Sequence, residues 1–308
     1  MTIAQNASDT PFELSRSEID QALAPFVGKE FEAGDDATWN ALMAKRRRKL
    51  RKMRLRRQYL GWLPGAARSP KAVRRIYEKI WYDKNLTRLL DPGERDVPCT
   101  WGERRMLVGA PGLKRVYLLH LMRMIEAFQP KSVLEIGCGI GINLLSLAAR
   151  FPDISFQGID LTDHGIDAIK NVSAQETLPK VVVDFSPEPL LDFTAHRRIM
   201  AQRASAAELP FDDNSFDLVY SVIALEQMEA IRPSVMAQLR RVSSGHVGML
   251  EAFRDWNESG MQRDYIVGQG YFSARIDELP GYGLQPVLVV HDMPVKVNMN
   301  LGLVVAKT

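Results

Sequence analysis

From Pro130 onward the sequence alternates short apolar runs with segments of helical spacing, and this alternation allows few folds. We expect strands at 132–136, 155–160, 198–204, 216–222 and 246–252, and helices at 141–150, 163–171 and 225–242. Strands that alternate with helices form a parallel sheet covered on both faces. The pattern therefore predicts an α/β fold whose sheet is mostly parallel.

The last part of the chain has a different pattern. The apolar runs 284–292 and 301–307 have no helix between them and are joined by a short polar link. Such a pair is typical of an antiparallel hairpin, because parallel neighbours need a long crossover connection. We expect this C-terminal hairpin to close the sheet.

Residues 1–112 read as a helical N-terminal extension. Helical segments are expected near 15–26, where Ser15 or Ser17 would be the N-cap, and at 36–60 and 70–90. The stretches 63–70 and 91–112 are rich in Pro and Gly and predict irregular connections. An apolar helix over 113–128 follows, so the predicted domains are 1–112, a cap, and 113–308, a catalytic domain.

The net charge of +3 hides three unequal segments. Residues 1–44 carry a balance of −6, residues 45–90 carry +15, and the remainder carries −6. In the basic helix 45–57, ten of thirteen residues are Lys or Arg. This helix would bind nucleic acid or an anionic membrane, or pair with the acidic segments within the chain or across a homodimer. Packing within the protein is favoured over nucleic acid because aromatic residues are sparse.

Other features bear on the compartment. Cys99 and Cys138 are too few for a disulfide framework, and no metal-ligand pattern is present. The first residues lack the basic and apolar regions of a secretory signal, and no apolar stretch is long enough to span a membrane. These observations favour a soluble, cytoplasmic protein.

A glycine loop, VLEIGCGIG at 133–141, joins a predicted strand to a helix. Gly137, Gly139 and Gly141 would let the backbone turn tightly and approach a ligand. A dinucleotide fingerprint requires a third glycine at position 142, which is Ile142 here. Glu135 would repel a pyrophosphate and suit a cationic ligand.

The next strand ends at Asp160, whose carboxylate would accept hydrogen bonds from ribose hydroxyls. Leu161 beside it offers an apolar surface to a purine, and residues 205–221 supply a small-residue turn and a strand edge for an adenine pocket. An adenosine that carries a positive charge and no phosphate indicates S-adenosyl-L-methionine (SAM).

Four strings in this order resemble the class I SAM-dependent methyltransferase superfamily. They are LEIGCGIG (134–141), GID (158–160), ELPFDDNSFDLV (208–219) and ALEQ (224–227). The resemblance covers about residues 113–308 and implies a seven-stranded sheet with SAM at the carboxyl ends of its strands. It implies cofactor contacts at Glu135, Gly137, Gly139, Gly141 and Asp160.

The sequence departs from the family pattern at three places. Ser205 stands where members usually carry Asp or Glu against the adenine amino group, so the backbone N–H of Ala206 gains importance. Glu226 and Gln227 occupy a position where a histidine often follows. About 25 residues between 171 and 198 exceed the usual short connection and are a candidate substrate lid.

Further cofactor candidates are Cys138, which also reads as a turn filler, Asn143 and Ser221. The amide of Asn143 would reach the methionine carboxylate or cap a helix, and Ser221 would face the transferring methyl group.

The catalytic candidates are weaker. Glu226 would orient a substrate or lie on a solvated helix face. His196 in the insertion, like His164 and His291, would be a base or an ordinary histidine. Tyr77 shares a helix face with Trp81, which predicts core packing or a hydroxyl near the SAM carboxylate.

The leading prediction is a SAM-dependent methyltransferase acting on oxygen, nitrogen or carbon of a small molecule. Positioning and exclusion of water supply most of the rate for an activated sulfonium, so no strong base is required. Three alternatives stay open: a relative that converts SAM itself and releases methylthioadenosine, an RNA methyltransferase that uses the basic helix, and a non-catalytic SAM-binding regulator.

Overall fold

A computed structural model describes residues 12–61, 68–83, 85–91 and 96–308. The helices are α1 Arg16–Leu23, α2 Asp36–Leu60, α3 Pro70–Asp83, α4 Leu86–Leu90, α5 Ala110–Phe128, α6 Ile142–Arg150, α7 Asp163–Ser173, α8 Lys180–Phe185, α9 Arg232–Val242 and α10 Gly260–Gln269. The strands are β1 Val27–Glu30, β2 Asp96–Trp101, β3 Arg104–Gly109, β4 Ser132–Ile136, β5 Ser155–Asp160, β6 Met200–Arg203, β7 Phe216–Val222, β8 Ser243–Glu251, β9 Gln285–Val290, β10 Val295–Lys296 and β11 Gly302–Lys307.

The main sheet has seven strands in the order β6-β5-β4-β7-β8-β11-β9. Strands β6, β5, β4, β7 and β8 pair in parallel, and β11 pairs antiparallel with both β8 and β9. The predicted α/β fold with an antiparallel C-terminal hairpin is confirmed. Since β4 and β7 lie in the middle, the loops after them meet at one edge of the sheet.

The C-terminal hairpin closes the sheet because β11 lies between β8 and β9 and pairs with both. Its residues 302–306 are buried on both faces, which explains their uninterrupted apolar character. The segment between β9 and β11 also contributes the short strand β10, which leaves the main sheet and pairs with β2.

The predicted irregular stretch 91–112 is wrong for its described part, because β2 and β3 form a hairpin there. With β1 and β10 they make a second sheet in the order β1-β3-β2-β10, so the segment 1–112 is not purely helical. Pro98 lies within β2, and Gly102 turns the hairpin with φ of 55°. These two residues made a strand pair resemble a loop.

Several predicted helices have different bounds. Helix α1 has the expected cap, since Ser15 accepts from the backbone of Glu18 in a capping box. The segment 70–90 is two helices, α3 and α4, and the second is capped by Asn85. Helix α9 begins at Arg232 rather than 225, because two short 3₁₀ turns precede it.

The acidic residues of α1 and β1 pair outside the basic helix. Asp20 and Glu30 pair with Arg104, and Glu18 pairs with Arg123 at 2.6 Å, which holds α1 and β1 against the hairpin and α5. The basic helix 45–57 packs on the C-terminal part of the chain, where Arg54 pairs with Asp264 of α10 at 2.9 Å, so the favoured prediction of packing within the protein is confirmed at this contact.

Within the described residues, none of the helices is both long and apolar enough to cross a bilayer. The same residues contain no group of three or more His, Cys, Asp or Glu side chains arranged for a metal ion.

The placement of β11 predicts a large effect for one core substitution. Leu303 is fully buried in this strand, so we expect Leu303→Ala to lower the free energy of unfolding by about 2–5 kcal/mol through lost burial and a residual cavity. Urea denaturation measures the change. Leu191→Ala is the matched control, because Leu191 is 62% exposed and its truncation should cost under about 0.5 kcal/mol. Equal effects would contradict the position of β11.

Candidate functional site

A cavity of about 330 Å³ lies at the carboxyl ends of β4, β5 and β7. The glycine loop and the residues that follow these strands form its floor, and helix α3 forms part of the opposite wall. The carboxyl edge of an α/β sheet is the usual ligand site, because helix N-termini and loop N–H groups converge there.

The glycine loop is bent back onto β5. The backbone N–H groups of Gly137 and Cys138 donate to the carbonyl of Ile159 at 2.8 and 2.9 Å. Gly139 has φ of 54°, and a Cβ at this position would lie 2.8 Å from the ring of Trp81 on α3. Only glycine combines this conformation with so close an approach, so the loop and α3 meet without a side chain between them.

Asp160, at the end of β5, ties this loop in place. One carboxylate oxygen accepts from the backbone N–H of Gly139 at 2.9 Å, and the other accepts from the N–H and hydroxyl of Thr162 at 2.9 and 2.5 Å. The carboxylate lines the cavity together with Leu161. Each carboxylate oxygen has two lone pairs, so the oxygen facing Gly139 keeps one for a ligand hydroxyl.

Glu135 lies at the end of β4 with 2% of its surface exposed. One oxygen accepts from the amide of Asn143 at 2.7 Å, and the buried hydroxyl of Tyr220 also interacts with this carboxylate on the cavity wall. Burial raises the pKa of Glu135 to about 7, against the lowering effects of Asn143 and Tyr220. A buried acceptor in this state favours a cationic ligand group, which would restore its charge.

The residues predicted to border the adenine also line the cavity. Ser205 and Ala206 both line it, and the Ser205 hydroxyl accepts from the backbone of Ala207 at 3.3 Å. Cys138 also lines the cavity, and burial holds the pKa of its thiol well above the usual range. Cys138 is therefore a neutral wall residue, which agrees with the turn-filler interpretation.

A second buried carboxylate, Glu226, faces the cavity after β7. The Gln227 amide donates to one of its oxygens at 2.5 Å, and its other oxygen has no partner within the described ranges. Burial and the nearby charge of Glu251 raise the pKa of Glu226 to about 8. Glu251 itself accepts backbone N–H groups of Ala224 and Leu225 at 2.9 and 3.0 Å. Glu226 thus lies on the cavity wall and not on a solvated face.

The turn that presents Glu226 is strained. Ile223 has φ of 52°, a conformation that β-branched residues rarely adopt. Its backbone N–H donates to the carbonyl of Leu250 at 3.0 Å, which helps to hold the turn, and its side chain lines the cavity. Strain of this kind persists where the surrounding structure fixes a functional geometry.

Several cavity residues were not among the sequence candidates. Arg68 lies with its guanidinium 4.5 Å from the ring centre of Tyr271, and it donates to Gln227 and to the carbonyl of Gln269. Lys296, from β10, also reaches the cavity. Neither residue belongs to a motif, and no sequence signal distinguishes them from other cations of the chain.

Helix α3 brings aromatic residues to the cavity. Tyr77 and Trp81 both line it with ring centres 5.8 Å apart, so this face does more than pack a core. Burial raises the pKa of Tyr77, so its hydroxyl stays protonated. The indole nitrogen of Trp81 is buried without a partner among the described residues and is an unused hydrogen-bond donor.

Charged contacts clamp α3 onto α7. The carboxylate of Glu78 accepts from the backbone N–H of Asp163 at 2.9 Å and lies 2.6 Å from the Nδ1 of His164. Arg74 pairs with Glu78 and Asp163 at 3.3 and 2.6 Å. His164 is therefore a clamp residue and not a base in the cavity.

Five predicted site features lie away from the cavity. His196 is fully buried, its Nε2 lies 3.1 Å from the carbonyl of Gln175, and it does not line the cavity, so it is left out of the proposed site. The insertion between α7 and β6 contains α8 and contributes no cavity residue, so the lid prediction is wrong. Gly141 caps α6 and Ser221 lies buried in β7, and neither lines the cavity. His291 stacks on Trp256 at 5.7 Å.

Residues 134–246 match the protein family described as a methyltransferase domain. This match, together with the seven-stranded sheet, supports the resemblance to the class I SAM-dependent methyltransferase superfamily. The matched residues run from β4, which precedes the glycine loop, to the start of β8, and they include Glu135, Asp160 and Glu226.

Similar proteins agree with this assignment over part of their length. The ajmaline N-methyltransferase of Rauvolfia serpentina is 23% identical over 38% of this chain and 34% of its own. The demethylmenaquinone methyltransferase of Porphyromonas gingivalis is 24% identical over 44% of this chain and 48% of its own. The matches thus span a third to a half of these relatives.

The crystal structure of the cyclase SpnF aligns with a TM-score of 0.54 and 13% identity, covering 78% of this chain and 96% of SpnF. At this identity the likeness shows the fold alone.

The match to the methyltransferase domain indicates SAM as the cofactor, and two buried groups of the cavity fit the amino-acid end of SAM. Glu135 offers a buried acceptor and Trp81 a buried donor without a partner among the described residues, as a zwitterion with an ammonium and a carboxylate requires. Gly139 lets the loop approach the indole of Trp81, because a Cβ at this position would lie 2.8 Å from the ring. These residues fit the cofactor on the chemistry of their donors and acceptors.

The close approach of Gly139 to Trp81 predicts a loss of cofactor binding in Gly139→Ala. The new Cβ would overlap the indole, and we expect SAM affinity to fall by about 5–150-fold, the equivalent of the 1–3 kcal/mol cost of overpacking. Isothermal titration calorimetry measures the change. Gly102→Ala is the matched control, because Gly102 has φ of 55° and open space around it. Equal affinity of both variants would contradict a cofactor at this loop.

The clamp predicts a stability effect that depends on pH. Burial would raise the pKa of Glu78, but hydrogen bonds from Asp163 and His164 outweigh it and lower the pKa from 4.5 to about 2. A depressed pKa stabilises the fold above the unfolded value, and this contribution is lost as the pH falls from 4.5 towards 2.

We therefore expect Glu78→Gln to lower the free energy of unfolding by about 1–3 kcal/mol at pH 7, the range for loss of a charged hydrogen-bond partner. The difference from the wild type should shrink below the ordinary pKa of Glu78. Urea denaturation at neutral and acidic pH tests this, with Glu176→Gln at an exposed site as the control. A difference in the free energy of unfolding that increases at acidic pH would contradict the stabilising role of Glu78.

Proposed function

We propose that the chain is a methyltransferase that transfers the methyl group of SAM to an oxygen, nitrogen or carbon atom of a small molecule bound in the cavity. The observation that carries the proposal is one cavity with two buried carboxylates, Glu135 on the glycine-loop side and Glu226 after β7. Both carboxylates line the cavity, and burial raises the pKa of each. They suit two tasks, one for the cofactor and one for the acceptor.

The residues proposed for the cofactor lie along the floor of the cavity. Asp160 would accept a ribose hydroxyl, and Glu135 would accept from the methionine ammonium. Ser205 and Ala206 would border the adenine with Leu161, while the backbone of Gly137 and Gly139 would lie beside the chain of the cofactor. Asn143 would act through Glu135, which its amide holds in place.

The acceptor would occupy the wall formed by α3 and the turn after β7. SAM supplies an electrophilic methyl group whose transfer breaks the sulfur–methyl bond, forms a bond to the acceptor atom and releases S-adenosylhomocysteine. Glu226 would take the proton that the acceptor loses, because it lines the cavity and its pKa, raised to about 8, lies near neutral pH. Tyr77, which stays protonated, would donate a hydrogen bond to the acceptor.

Two further features support a small acceptor. Helix α3, which the Glu78 clamp fixes, forms one wall of the cavity and gives a bound molecule a defined surface. The names of the relatives from Rauvolfia serpentina and Porphyromonas gingivalis give ajmaline and demethylmenaquinone as methyl acceptors. In this proposal residues 1–112 serve as the cap and residues 113–308 as the SAM-binding catalytic unit.

Incubation of the protein with methyl-labelled SAM, alone and with separated small-molecule, RNA and protein fractions of a cell extract, tests the function. Mass spectrometry should find label in a small molecule together with S-adenosylhomocysteine. Methylthioadenosine released from SAM alone would indicate the SAM-converting alternative, and label in RNA would indicate the RNA methyltransferase. Either result, or no turnover in any fraction, would contradict the proposal.

The role of Glu226 predicts a change in the pH profile. Because a base acts when deprotonated, methylation of the acceptor found above should rise with pH through about 8 in the wild type. Glu226→Gln should lower kcat by about 10²–10⁴-fold and lose this rise, with SAM binding retained.

Glu176→Gln, on the exposed surface, is the matched control and should keep the wild-type profile. An unchanged kcat and pH profile in Glu226→Gln would remove the base from the proposal.

A further inference from the structure

The basic helix α2 turns one continuous face towards solvent. Its exposed residues Lys45, Arg48, Lys49, Lys52, Leu55, Arg56 and Tyr59, which we call the basic face, follow a spacing of three and four residues. At 1.5 Å per residue this face extends for about 21 Å. It carries five cations and no acidic residue.

The opposite face of α2 is already occupied by the protein. Trp39, Met43 and Leu50 are buried, and Arg54 pairs with Asp264 of α10 at 2.9 Å. Met53 lies beside Gly268, where an added Cβ would be 2.9 Å from its methyl carbon. The helix therefore has a fixed orientation, and the five cations of the basic face are not needed for its packing.

The charges of the basic face are not neutralised within the described chain. None of its five cations forms an ion pair with a described residue, whereas nearby acidic residues are engaged elsewhere, as Asp36 is with Arg105. Mutual repulsion within a row of like charges raises the free energy of the protein, and binding of an anionic partner lowers it. The charge pattern thus indicates a polyanionic surface as the partner.

Exposed apolar side chains help to decide whether the polyanionic partner is a nucleic acid or a membrane. Leu55, Tyr59 and Leu60 at the C-terminal end of α2 are 43%, 67% and 46% exposed. Aliphatic side chains gain no binding free energy beside a phosphate backbone in water. Single-stranded nucleic acid stacks on several aromatic side chains, and the basic face has only Tyr59. At a bilayer the same three side chains would enter the interface below the headgroups, as in helices that lie on membranes.

We propose that the basic face of α2 binds the surface of an anionic phospholipid bilayer. The five cations would contact headgroup phosphates, and Leu55, Tyr59 and Leu60 would insert at the boundary of the acyl chains. The interaction does not depend on SAM or on turnover, because none of these residues lines the cavity.

Co-sedimentation of the full-length protein with vesicles tests the surface. The vesicles contain either 30% phosphatidylglycerol in phosphatidylcholine or phosphatidylcholine alone. We expect binding to the anionic vesicles only. The variant Lys45→Gln/Lys49→Gln/Lys52→Gln should weaken it at least about tenfold, since each cation near such a surface contributes about fivefold. The matched control Lys131→Gln/Lys170→Gln/Lys307→Gln removes three exposed charges elsewhere and should bind as the wild type does.

A second pair of measurements separates membrane from nucleic acid. Leu55→Ser/Tyr59→Ser should weaken vesicle binding, while binding to polyuridylate in a fluorescence assay should be weak in both proteins. Circular dichroism checks that each variant keeps its fold. The proposal is overturned if the wild type does not bind anionic vesicles, if the Lys triple variant binds them as well as its control, or if polyuridylate binds more tightly than the vesicles.

Discussion

The carboxylate of Asp160 joins three pieces of the site. It accepts from the backbone of Gly139 in the glycine loop and from Thr162 at the start of α7, while it belongs to β5. Because these bonds are made within the chain, they shape the loop and pre-organise the cavity floor. Gly139 in turn lies against Trp81 of α3, where a Cβ would be 2.8 Å from the ring.

The cap and the sheet create two environments in one cavity. Glu135 is held by an amide beside the loop, whereas Glu226 shares its surroundings with Glu251 and Gln227. In both cases burial disfavours the charged carboxylate, and a ligand that brings a positive charge or a transferable proton relieves that cost. This pairing of carboxylates is the physical basis of the proposed division between cofactor and acceptor.

The sequence was sufficient for features that are local in the chain. The glycine loop, Asp160 and the closing hairpin follow from spacing and apolar runs, because the residues that build them are neighbours or lie on adjacent strands. Arg68, Trp81 and Lys296 come from elements far apart in the chain, and only the folded cap brings them to the cavity. The spacing of residues along the sequence does not indicate such long-range contacts.

Two errors have related causes. The sequence suggested a lid around His196 because an insertion with prolines resembles a functional loop, but its short turns are packed at the flank of the sheet and away from the cavity. Pro98 and Gly102 are typical of loops, and for this reason the sequence did not indicate the hairpin of β2 and β3. In the structure Gly102 forms the turn of the hairpin, and Pro98 lies within β2 opposite Leu107 of β3. In both places tertiary packing decides the outcome.

The most direct test of the account is a crystal structure of the protein with S-adenosylhomocysteine. The account predicts the ribose against Asp160, the adenine beside Ser205 and Ala206, and the ammonium group at the carboxylate of Glu135. A product bound outside this cavity, or bound within it with the ribose away from Asp160, would contradict the assignment of the site.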